Sequence, residues 1–309
     1  MTVLPNPDYF THPKFTAAAE RINEQTRVAA LNQFLPALQR AFVDLAESGR
    51  PDFDVRITAG SASLAELQET GITVLQVDPP TKALICEWAD PLFGAIQQRL
   101  ASIGRPKFKD MNVALDRGAH GALYAAVHDA LTQLNVFDIG RAYVRRPLRI
   151  KKLFVQLNND QETAARYGAL GADGLPKLKT DYWHIDSDVW PNIKVLLYLN
   201  DVDLDSGPMR YVVDSHREVP DFETLVRKTN DSLRLPTEQF LALPDELRMH
   251  ALFGPYLAGD ESKSVEMLRR ERIVCGGGDL ILFDNNGVHR GGFVRKGERR
   301  LLQCLFEAV

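Results

Sequence analysis

Trp183-His184-Ile185-Asp186 and, later in the chain, Gly278-Asp279-Leu280-Ile281-Leu282-Phe283-Asp284 leading to His289 are the stretches on which the fold turns. On an extended strand His184 and Asp186 project from one face, because strand side chains alternate with a period of two. The later stretch reads as a second strand that delivers His289. Two imidazoles and one carboxylate, with the other positions open, are a facial ligand set suited to non-haem Fe(II). Taken alone, the pattern also fits a turn aspartate beside a half-buried core histidine.

The flanking sequence sharpens it. After Asp186 comes the strand-like Ile193-Lys194-Val195-Leu196-Leu197-Tyr198-Leu199-Asn200-Asp201. Then follows Ser206-Gly207-Pro208-Met209-Arg210-Tyr211-Val212-Val213-Asp214-Ser215-His216-Arg217, and Arg300 stands eleven residues beyond His289. In these features the chain resembles the phytanoyl-CoA dioxygenase family of Fe(II)/2-oxoglutarate-dependent oxygenases, firmly from about Leu153 onward and more loosely over Leu64 to Val77.

The resemblance implies a mainly β fold with flanking helices: a double-stranded β-helix, or jelly roll, behind a helical N-terminal part. It implies His184, Asp186 and His289 as iron ligands, with 2-oxoglutarate and O2 as co-substrates and succinate and CO2 as co-products. His216 matches a family histidine that is not a ligand. Asp186 in the carboxylate position favours hydroxylation over halogenation, with desaturation and ring closure left open. Trp183 reads as packing beside the first ligand, and Arg210 as a candidate substrate contact. The family's serine or threonine two places after the last histidine is replaced here by Gly291.

Arg300 is also reached by geometry. If Lys296 and Gly297 form a two-residue hairpin turn, Phe293 opposes Arg300 and Val294 opposes Arg299. Phe293 shares the face of His289, so Arg300 points toward the metal and Arg299 away. A guanidinium fork then pairs with the distal carboxylate of 2-oxoglutarate. A different loop length exchanges the two arginines. Gln156 lies on the polar side of an alternating strand in which Leu153, Val155 and Leu157 face one way and Phe154, Gln156 and Asn158 the other. It is either a co-substrate contact or a member of a buried network.

The remaining organisation is that of one oxygenase domain over 1–309. Residues 1–60 read as a helical extension, and helical patterns return at Ala83–Ile103 and Ala122–Leu134. Ser63 and Glu66 carry a capping signature, followed by a strand at 71–77. Strands are expected at 180–186, 193–200 and 208–213, an insert capping the barrel mouth at 217–270, and further strands at 272–275, 279–283, 288–294 and 299–307. Residues 160–179 read as a lid loop.

At 309 residues and net charge −4 the chain is not patterned as a general nucleic-acid binder. No run of about 18 apolar residues suggests a membrane span. Cys86, Cys275 and Cys304 are too scattered for a zinc site, and a cytoplasmic setting is the simplest expectation. Six basic side chains and no acid between Arg141 and Lys152 read either as solvated surface or as a dock for a small polar metabolite bearing an anionic group, with Arg145 and Arg146 as its test. Oligomeric state is not encoded in any recognisable pattern. Two other classes compete: a metal-binding jelly roll without turnover, and a cupin-like zinc or manganese isomerase or hydrolase. Neither has a use for Arg300.

Overall fold

The computed structural model describes residues 59–103, 108–145, 147–160, 186, 192–217, 269–285, 287–292 and 294–308. The expected helical extension over 1–60 and the insert over 217–270 fall almost wholly outside these residues. So do His184, Trp183, the 160–179 loop and all but the last residue of the strand expected at 180–186.

Four helices are described: α1 (Ser61–Thr70), α2 (Pro79–Ala101), α3 (Gly121–Gln133) and α4 (Val136–Val144). Helix α2 begins earlier than its apolar spacing suggests. Asp78 caps it by accepting the Thr81 N–H at 3.0 Å, and prolines at the first two helical positions need no amide donor there. Its buried residues, Ile85, Ala89, Phe93 and Ile96, form one stripe. The capping signature at Ser63 is not used. Helix α1 starts at Ser61, after a left-handed Gly60, which places Ser63 inside the first turn.

Nine strands complete the described architecture: β1 (Ile72–Gln76), β2 (Asn112–Ala114), β3 (Leu148–Asn159), β4 (Ile193–Tyr198), β5 (Met209–Val212), β6 (Glu271–Val274), β7 (Asp279–Asp284), β8 (His289–Arg290) and β9 (Glu298–Ala308). They build a six-stranded sheet in the order β1-β7-β4-β9-β3-β2 and a three-stranded sheet in the order β6-β5-β8. Every pairing is antiparallel. The fold is thus mainly β with flanking helices, as expected.

Strand alternation divides the apolar residues between two layers. Leu153, Val155 and Leu157 of β3, Val195 and Leu197 of β4, and Leu302 and Cys304 of β9 pack against the helices. Tyr198, Ile281, Phe283 and Leu301 of the large sheet instead meet Met209, Tyr211 and Val274 of the small one. The order is helices, large sheet, small sheet, each layer burying its neighbour's apolar face.

Two buried tyrosines tie the sheets together from opposite sides. The Tyr198 hydroxyl of the large sheet donates to Val274 O at 3.0 Å and accepts the Met209 N–H at 2.8 Å, both on the small sheet. The Tyr211 hydroxyl of the small sheet donates to Asp284 O on β7 at 3.0 Å. Burial pushes the Tyr198 phenol up to about 12, so it stays a donor at any physiological pH. The room for Tyr211 comes from Gly71, at φ 83, and Gly287, because a Cβ at either would collide with the phenol.

Replacing Tyr198 by Phe strands a buried N–H and a buried carbonyl at once. Denaturant titration is expected to show a loss of roughly 1–3 kcal/mol, with the m-value unchanged.

Candidate metal centre

His289 enters the layer between the sheets from β8, which is only two residues long and pairs with β5, Tyr211 opposite His289. Its ring stacks on Tyr211 at 6.5 Å and meets Phe283 edge-on at 5.1 Å. Nδ1 lies 2.8 Å from Gly287 O. A carbonyl only accepts, so Nδ1 carries the proton and the Nε2 lone pair faces away from it. Burial holds the imidazole below its ordinary value and outweighs the opposing pull of Asp186. The ring is therefore neutral, the form that binds metals.

Nε2 of His289 lies 3.8 Å from Asp186 Oδ2. The backbone fixes this approach: the Asp186 N–H donates to Asn285 O at 2.8 Å, and the Asn285 N–H donates to Asn192 O at 3.1 Å. A neutral imidazole and a carboxylate thus converge, two donors of a candidate ligand set. Their donor chemistry fits Fe(II), and the chain position of His184, two residues before Asp186, is compatible with a third ligand. Lys194 is a further partner, not expected from the sequence. Its Nζ lies 3.3 Å from Asp186 Oδ2. The available signal was a lysine sharing its strand face with Leu196 and Tyr198.

Ser215 is a further positioning residue that carries no signal of its own in the sequence. Its hydroxyl accepts the Val288 N–H at 2.7 Å and donates to Val212 O at 2.6 Å, tethering the residue before His289 to β5. His216 turns toward α1, with Nε2 3.2 Å from Gln68 O. On the helix side, the Tyr143 hydroxyl donates to the buried Asp284 Oδ2 at 2.6 Å and anchors the start of the same loop.

The facing of the two arginines is the reverse of the expectation. Arg300 lies on the helix side: Nη1 meets Asp90 of α2 at 3.1 Å, Nε meets Glu298 at 2.6 Å, and the guanidinium covers the Phe93 ring at 5.5 Å. Arg299 is the inward one, 5% exposed. It donates to Asn158 Oδ1 at 3.1 Å and to Gly292 O at 3.3 Å. The reason is topological. Strands β8 and β9 belong to different sheets, so the chain between them crosses from one layer to the other and no two-residue hairpin sets the register. The Arg295 and Lys296 amides bond instead to Asp205 O.

Gln156 belongs to a buried network. It donates to Asn158 Oδ1 at 2.8 Å and accepts from Gln303. Arg210 pairs with Glu271 at 2.9 Å and alternates away from the inward Tyr211. The basic run is divided between the end of α4 and the start of β3. Arg141 pairs with Asp138 at 3.4 Å and Arg149 with Glu307 at 2.6 Å. Arg145, Lys151 and Lys152 are exposed, a placement in keeping with solvated surface.

No family model and no curated protein sequence matches the chain. Solved structures do. EctD from S. alaskensis with bound Fe aligns at TM-score 0.51 and 15% identity over 82% of this chain and 79% of that one. EctD with 2-oxoglutarate and 5-hydroxyectoine aligns at TM-score 0.47 and 17% identity, covering 84% and 82% of the two chains. The non-haem α-ketoglutarate-dependent epimerase SnoN aligns at TM-score 0.43 and 16% identity, covering 80% and 83%. At this identity the likeness to EctD is one of fold. Among the described residues no helix is long and apolar enough to cross a membrane.

Ser215→Ala removes the acceptor of a buried N–H beside His289. A stability loss of roughly 1–3 kcal/mol is expected from melting curves. Divalent-metal affinity, read by calorimetry, is expected to fall about tenfold, the scale of outer-shell effects on metal sites.

Proposed function

We propose that this protein is an Fe(II)/2-oxoglutarate-dependent dioxygenase built on a double-stranded β-helix, and that it hydroxylates a C–H bond of a small polar metabolite. The observation that carries the reading is the convergence of a neutral, proton-locked His289 with Asp186, in the same interior that holds the buried Arg299. His184 is the proposed third ligand. EctD, whose fold this chain shares, is a protein crystallised with Fe.

Iron bound by His184, Asp186 and His289 would supply O2 activation coupled to oxidative decarboxylation of 2-oxoglutarate. The chain's own residues do the rest. His289 keeps its Nδ1 proton on Gly287 O, which fixes the ring plane and leaves Nε2 as the donor. The Asn285 carbonyl holds the Asp186 backbone beside it. Lys194 stands against Oδ2 of the same carboxylate and orients it. Arg299, rather than Arg300, takes the distal carboxylate of 2-oxoglutarate in a two-point contact. Phe283, Tyr211 and Tyr198 exclude water from the space between the sheets, which strengthens that contact. Gln156, engaged at both ends of its amide, acts through its neighbours.

Anaerobic titration of the Fe(II) protein with 2-oxoglutarate tests the reading, watched for the weak visible band that chelation at such centres produces. Asp186→Ala and His289→Ala are expected to abolish it. Arg299→Ala should raise the half-saturating 2-oxoglutarate concentration about 10–100-fold, the worth of lost charge-assisted hydrogen bonds, whereas Arg300→Ala stays close to the parent. A folded, iron-loaded protein that gives no band would instead favour a metal-binding jelly roll without turnover.

A further inference from the structure

The inner face of the large sheet carries a chain of buried amides that ends on Arg299. Gln303 of β9 donates to Gln156 Oε1 of β3. Gln156 Nε2 donates to Asn158 Oδ1 at 2.8 Å, and Arg299 Nη2 donates to the same oxygen at 3.1 Å. Asn158 stands directly opposite Arg299 in the β3–β9 register. All four side chains are buried.

The polarity of this chain is dictated from its arginine end. A guanidinium only donates, so the Asn158 atom facing it must be the carbonyl oxygen. The Asn158 amide nitrogen is then turned to the Met111 thioether at 3.5 Å, a weak acceptor. With its oxygen committed, Asn158 can only accept from Gln156, and Gln156 in turn can only accept from Gln303. Each amide therefore has one permitted orientation, and the guanidinium is held between Asn158 Oδ1 and Gly292 O. Both of these contacts are neutral oxygens. They set direction without supplying a counter-charge of their own.

Resting on the oxygenase reading above, we propose that Asn158 is the positioning residue that aims Arg299 at the distal carboxylate of the co-substrate. An aspartate of the same shape at 158 would pair with Arg299 and compete with the incoming anion. An alanine would remove one of these two neutral anchors and loosen the aim of the guanidinium.

The test compares 2-oxoglutarate with 2-oxopentanoate, which has the same chelating end and chain length but no distal carboxylate. Binding of each to the anaerobic Fe(II) protein is measured by calorimetry, so no turnover is needed. The parent should prefer 2-oxoglutarate by about 10–100-fold, in line with a two-point charged contact. Asn158→Asp is expected to cut that ratio by about tenfold or more while 2-oxopentanoate binds as before. Asn158→Ala should cut it about threefold. A ratio unchanged in both variants overturns the proposal, as does equal weakening of both acids, which marks a merely structural role. If the parent itself shows no preference while chelating both acids, Arg299 is not the carboxylate partner and the proposal falls with that assignment. If the parent binds neither acid, the oxygenase reading fails first.

Discussion

The two sheets are held at a defined separation by a reciprocal pair of tyrosines, and the candidate centre lies within the space they define. Tyr198 reaches from the large sheet to two backbone groups of the small one, and Tyr211 reaches back to Asp284. Each phenol is too deeply buried to exchange its partner for water, so breaking either bond leaves a desolvated polar group behind. Tyr211 also forms the wall on which the His289 ring stacks. The same side chain therefore joins the layers and orients a candidate ligand.

Around this seam, the loop from Asp284 to His289 is pinned at several points. Asp284 is held by Tyr143 from the helix layer, Asn285 by Asn192 and Asp186, and Val288 by Ser215. A histidine on a loop of this kind is held in one orientation, and little conformational entropy remains for it to lose. Lys194 adds a cation beside Asp186, and burial keeps His289 neutral, so a charged carboxylate and an uncharged imidazole face each other.

The amide chain from Gln303 to Arg299 answers a different demand. A buried guanidinium is costly unless its donors are met. Here the acceptors include an asparagine oxygen and a backbone carbonyl, which satisfy geometry without placing a carboxylate on those donors. Arg300, one residue along, meets that demand on the outside with two carboxylates. Adjacent arginines on one strand thus serve opposite faces, and only their registers distinguish them.

Local periodicity was enough to place much of this. The alternation of Leu153 to Asn158 correctly divided β3 between helix layer and interior, and the stretches around Ile193 and Asp279 became β4 and β7. Asp186 and His289 stood out by donor type, and the fold brings them to within 3.8 Å of each other. What local pattern could not decide was which arginine faces inward. That choice depends on the path from β8 to β9, which crosses from the small sheet to the large one rather than turning back in a hairpin. The early start of helix α2, by contrast, has a local cause, since Asp78 and the two prolines after it set that start and not the apolar stripe. Side-chain chemistry and strand period are written in the sequence itself. Register between distant strands and the pairing of Tyr198, Tyr211 and Asn158 with groups far along the chain arise only when the layers pack, because the energies that select them are non-local.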